Sequence, residues 1–111
     1  MDGILSSVKN FLGPSAEDTA FDPELIVIIN SVFGILFQLG VGPTDAPYKI
    51  IDDNNTWDEF ITDRDIETVK SYVYVKTKLV FDPPSSSFVL SAYQELAKEF
   101  EWRCNVHAET P

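Results

Sequence analysis

The residues that could do chemistry are mostly acids in adjacent pairs: Asp52-Asp53, Asp58-Glu59 and, one residue apart, Asp63 and Asp65. Paired carboxylates can serve as a general acid and base when burial or repulsion splits their pKa values. These pairs fall in a stretch rich in Pro, Asn and Asp, where solvated carboxylates are the expectation. Their spacing is not that of a calcium loop. The one histidine, His107, lies near the C-terminus, where a base would lack an orienting shell. The one cysteine, Cys104, has no CxxC or Cys/His partner spacing, so neither a disulfide nor a zinc site is expected. No glycine-rich phosphate loop or nucleophile elbow occurs. The residues therefore predict a protein that acts by binding, without catalysis, metal or cofactor.

The frame around these residues is short and acidic. The 111 residues carry 18 acids and 8 Lys or Arg, for a formal charge of −10 and a pI near 4.2. A chain of this length supports one domain with one core, and its 44% hydrophobic content places it among folded proteins. With no basic stripe to displace counterions, tight binding to nucleic acid or to anionic membrane is disfavoured. Eight of the acids fall between Asp45 and Glu67, against two bases. The N-terminus lacks the basic and apolar regions of a signal peptide.

Apolar periodicity predicts helices. Ile4, Leu5, Val8, Phe11 and Leu12 form one face of a short helix over residues 3–12, stopped by Gly13-Pro14. Asp22-Pro23-Glu24 reads as a second start, with Asp22 as cap, and Gly40 as the stop. Between them Leu25, Ile28, Ile29, Val32, Leu36 and Leu39 make one stripe, widened by Ile26, Phe33 and Phe37. A helix this apolar must be covered on two sides, as the centre of a bundle or at a subunit contact. Leu25–Val41 also has the length of a short membrane span, although Asn30, Ser31 and Gln38 interrupt it and its flanks are acidic.

Residues 41–63 read as a long acidic loop containing one helical turn at 57–61, started by the capping box Thr56…Glu59 and pinned by Trp57, Phe60 and Ile61. The next stretch, Asp65 to Phe81, shows two periods. Ser71–Thr77 alternates like a strand, while Ile66, Val69, Val73, Thr77 and Val80 repeat like a helix, with Asp63 as a plausible cap; the length favours helix. Lys70, Lys76 and Lys78 give it the chain's one basic cluster. After Pro83-Pro84, a last helix runs over 85–105 with Val89, Ala92, Tyr93, Leu96, Phe100 and Cys104 on one face. Trp102 and Phe88 fall on the polar side, where an aromatic patch suggests a partner. Phe88, Trp102, Trp57, Tyr72, Tyr74 and Phe37 are the candidate interface residues, with Trp57 equally readable as a core anchor. Val106, His107, Ala108, Glu109, Thr110 and Pro111 read as an extended tail beyond a helical core at 22–105.

Taken in order, Asn30–Phe33, Gln38–Pro43, Thr56–Ile61, Val69–Lys76, Leu79–Ser85 and Glu101–Arg103 resemble the head–tail connector (adaptor) proteins of long-tailed bacteriophages, over roughly residues 22–106. The resemblance implies an all-α domain, a small bundle of three main helices plus the short N-terminal helix and the acidic loop, and settles 65–81 as helix. It also implies a non-enzymatic virion protein that forms a ring of twelve copies under the portal. Such a ring joins the filled head to a stopper or tail-completion protein and lets DNA pass through its centre without specific binding. On that pattern, residues 106–111 would reach the portal, and Asp52, Asp53, Asp58 and Glu59 would meet the lumen or the next component. Two other classes fit parts of the sequence: a small membrane-acting phage protein built on Leu25–Val41, and an acidic DNA-mimic inhibitor.

Overall fold

The computed structural model describes residues 3–42, 45–60 and 66–109. Its helices are α1 (Ile4–Leu12), α2 (Asp22–Gln38), α3 (Trp57–Phe60), α4 (Ile66–Phe81) and α5 (Ser87–Glu109), with 3-10 turns at Gly13–Ala16 and Thr19–Phe21 between α1 and α2. Among the described residues there is no β-strand, and one isolated bridge pairs Gly3 with Thr56. The all-α reading holds, and the stretch with two periods is helical.

The central helix is α4 rather than α2. It packs against α1, α2 and α5, and its buried residues Val69, Tyr72, Val73, Val75 and Thr77 cover an arc of about 200° at 100° per residue. The buried residues of α2, Leu25, Ile29, Val32, Phe33 and Leu36, cover only about 100° on the same count. Residues two apart on a helix point nearly opposite ways, so Val73, Val75 and Thr77 can all be buried when both sides of α4 are covered. That two-sided burial is the origin of the strand-like alternation. Thr77 is the one buried polar residue among those described, and its hydroxyl has no hydrogen-bond partner there.

The helical stretch Thr19–Gln38, which takes in the turn before α2 and α2 itself, is long and apolar enough to cross a membrane by length and composition, with a mean hydropathy of 1.7 over its most apolar window. Its buried stripe faces α4, so that part of its apolarity is used inside the chain. Its end is a Schellman motif. The Val41 N–H reaches the Leu36 carbonyl at 2.9 Å, the Gly40 N–H reaches that of Phe37 at 3.0 Å, and Gly40 sits at φ 88°. Val41 and Leu36 close the apolar side of the turn. At the other end, the Asp22 carboxylate pairs with Lys9 at 2.7 Å instead of capping α2, because α1 brings an ammonium within reach.

Two further expectations shift. Ile4, Leu5, Val8 and Leu12 are part of the main core, so the core begins at α1 and not at residue 22. The segment from residue 106 is not an extended tail as far as Glu109: no Gly or Pro occurs between Ser87 and Glu109 to stop α5, and the helix continues through Glu109. Its start is set by Ser86, whose hydroxyl accepts from the Val89 N–H at 3.4 Å. Pro43, Ile61, Asp63, Asp65, Thr110 and Pro111 lie outside the described residues, as do the side chains of His107, Ala108 and Glu109.

Candidate functional site: the outer face of α5 and the acidic loop

Within the chain, α5 finds its main packing partner in α4. The small Ala97 and the buried Cys104 face inward, half-buried Phe100 packs on the core, and the Tyr72 hydroxyl crosses from α4 to donate to Glu101 Oε2 at 2.8 Å. Burial and the Glu101 carboxylate raise the Tyr72 pKa above the usual phenol range, so its proton stays in that bond. Ala97 lies about a quarter turn from Val89 and Leu96. The packed side is therefore rotated from the expected one, and Val89 and Leu96 are exposed.

The outward half of α5 then carries Phe88 at 84% exposure and Trp102 at 64%, with Val89, Leu96 and Val106 beside them. Ion pairs Arg103–Glu99 at 2.6 Å and Lys98–Glu95 at 3.9 Å are interspersed with these apolar side chains. Apolar and aromatic anchors bordered by charge are the usual make-up of a protein contact surface. The face is long, since 23 residues span about 35 Å. The sequence pointed to Phe88 and Trp102 but missed Val89 and Leu96, which the helical wheel assigned to the core.

The other candidate interface residues divide. Tyr72 is fully buried, which corrects its placement at an interface, and Trp57 is nearly so, which favours its core-anchor reading: both are core side chains. Trp57 donates from Nε1 to Ser7 Oγ at 3.2 Å, sits edge-on to Phe33 and Tyr74, and has the Lys70 ammonium 5.7 Å from its ring. Tyr74 is half-buried and stacked on Phe11 at 5.2 Å. Phe37 is half-buried and is not part of the core cluster. In the basic cluster, Lys70 pairs with Glu67 and Lys78 with Asp82, both at 3.6 Å. Lys76 lines a groove between α4 and α5 together with Leu79, Ala97 and Glu101.

The acidic loop is tied to the helices at several points. Phe33 meets Tyr48, Trp57 and Phe60 at ring distances of 5.4, 6.3 and 4.6 Å, and so holds the loop against α2. Asn30, an interruption in the apolar run, pairs with the backbone of Ile50 in both directions, at 2.8 and 3.1 Å. The predicted capping box is present in its return half, with Glu59 Oε1 accepting from the Thr56 N–H at 3.4 Å. The same oxygen accepts from the Tyr48 hydroxyl at 2.9 Å and from Asn55 Nδ2 at 3.2 Å.

Asp53 accepts from Ser6, and Asp52 accepts from the Asn54 N–H at 2.9 Å in an Asx turn. Of the four candidate carboxylates, Asp53 and Glu59 are thus engaged by groups elsewhere in the chain. All four, Asp52 and Asp58 included, are exposed on the loop surface. Among the described residues no group of three or more His, Cys, Asp or Glu is placed to hold a metal ion.

The Tyr48–Glu59 pair gives a pH test. Hydrogen bonds from Tyr48 and Asn55 and from the Thr56 backbone lower the Glu59 pKa, whereas partial burial and Glu59 push Tyr48 from 10.0 up to about 12. Glu59 therefore contributes stability above the ordinary carboxylate range, and that contribution is lost as pH falls through it. Tyr48 contributes fully below pH 10, and its share declines between 10 and about 12 as the unfolded chain loses protons first. In urea titrations across this window, Tyr48→Phe should show a shallower alkaline decline than the parent chain. Equal slopes would contradict the assignment.

In comparison with known proteins, neither a curated relative nor a solved structure matches the chain. A family model described as phage connector protein matches residues 4–111. That match takes in α1, the acidic loop and the whole of α5, and by it the chain belongs to the phage connector proteins.

Proposed function

We propose that this connector assembles as a closed ring of copies under the portal of a filled head, and that it joins the portal to a stopper or tail-completion protein. The observation that carries the reading is the outward half of α5, where Phe88 and Trp102 are 84% and 64% exposed on a helix whose other side is packed on α4. In a ring, neighbouring copies would cover such a surface by a heterologous contact that closes.

The charge supports a passage for DNA that does not grip it. A net −10 per chain gives a ring of twelve on the order of a hundred negative charges about one axis, and like charge opposes sticking. The last turn of α5 and the residues after it, 106–111, are the proposed portal contact. Exposed Asp52 and Asp58 are the proposed contact of the loop with the lumen or the next component.

Electron microscopy of the purified chain mixed with portal-bearing heads tests this reading. A ring at the portal vertex is expected, and removal of residues 106–111 should leave the helical content nearly intact while reducing attachment. Absence of any ring would overturn the assembly, and full attachment of the shortened chain would remove the C-terminus from it.

A further inference from the structure

Helix α1 begins without a cap of its own. Its N-cap residue is Gly3, which has no side chain to accept from the first turn. The loop supplies what is missing from some fifty residues away. Asp53 Oδ1 accepts from the Ser6 N–H at 2.9 Å, the place a capping side chain would take, and Oδ2 accepts from the Ser6 hydroxyl. The Asn55 carbonyl accepts from the Ile4 N–H at 2.9 Å. Two of the backbone donors that any helix leaves unpaired at its start are therefore satisfied by the loop.

The fit is close from both sides. A Cβ on Gly3 would collide with the backbone carbonyl and the carboxylate of Asp53, so glycine is needed here for space. With nine residues, α1 is also shorter than a helix that holds itself in water.

We propose that α1 and the loop around Asp53 are one latch that opens and closes as a unit, with the Asp53 carboxylate as its catch. An event that draws this carboxylate away, such as the approach of a cationic group of a partner, loosens the start of α1 and with it the burial of Ile4 and Leu5. Loosening of α1 equally frees the loop, because coupling between two sites is reciprocal. The latch stands apart from the ring assembly and is read on the isolated chain.

Hydrogen exchange followed by mass spectrometry on the full chain tests it with two variants that attack opposite sides of the junction. Asp53→Ala should speed exchange in residues 5–12 about tenfold, the scale of a lost cap, with α5 unchanged. Gly3→Ala should speed exchange in residues 51–56 as well as in α1. The latch is refuted if Asp53→Ala loosens only the loop, or if Gly3→Ala loosens only α1. Uniform loosening that includes α5 would also refute it, since the unit would then be the whole domain.

Discussion

Replacing Trp102 by alanine should leave the circular-dichroism spectrum and the unfolding temperature of the isolated chain close to those of the parent, and should weaken attachment to portal-bearing heads by about thirtyfold or more, the scale of a truncated interface tryptophan. Trp102 is 64% exposed and makes no ring contact among the described residues, so its removal opens no cavity in the core. Phe88→Ala should act in the same direction, and the double variant tests whether the two aromatics serve one contact. Co-sedimentation with heads measures the loss, and thermal unfolding of the free variant supplies the control. A large fall in unfolding temperature would make Trp102 a support of the fold. Undiminished attachment would move the contact away from the outer half of α5.

The second large effect belongs to Phe33. Its ring is 1% exposed and touches Tyr48, Trp57 and Phe60, so one side chain joins α2 to the acidic loop and α3. Phe33→Ala should cost about 3–5 kcal/mol, a large part of the 5–15 kcal/mol typical of a whole domain. The unfolding temperature should fall by roughly 15 °C or more. The fluorescence of Trp57 should also report a wetter site before global unfolding, because the loop loses its apolar anchor first. Phe33→Leu should recover much of the stability but not the edge contacts with Tyr48 and Trp57. If the alanine variant unfolds within a few degrees of the parent, the aromatic cluster does not hold the loop.

What was legible in the sequence was local. Gly40 as a stop, the Thr56…Glu59 box, the single turn after it and the break at Pro83-Pro84 all depend on residues within a few positions of one another, and all are found where periodicity and capping chemistry put them. The two periods of α4 were legible too, although only the structure explains them: a helix covered on both sides repeats apolar residues at two as well as at three and four.

What was not legible depends on distance. Nothing near Asp53 in sequence marks it as the cap of a helix 47 residues earlier. Nothing near Asn30 says that its amide will pair with the backbone of Ile50. The core position of Tyr72 follows from the helices packed over α4, among them α5, whose Glu101 meets its hydroxyl, and a wheel drawn for one helix cannot show it. The rotation of α5 has the same origin, since Ala97 is chosen for close approach to α4 by its smallness and not by its hydrophobicity.

The division of α5 into a packed half and an outward half has an evolutionary consequence. Ala97, Cys104 and Glu101 answer to α4, whereas Phe88, Val89, Leu96 and Trp102 answer to nothing within the chain's own core cluster. Selection can therefore rewrite the outer half without disturbing the inner one. If neighbouring copies cover this outer half as proposed, each substitution there recurs at every contact of the ring, and mixed rings of two related chains would fail first at those positions.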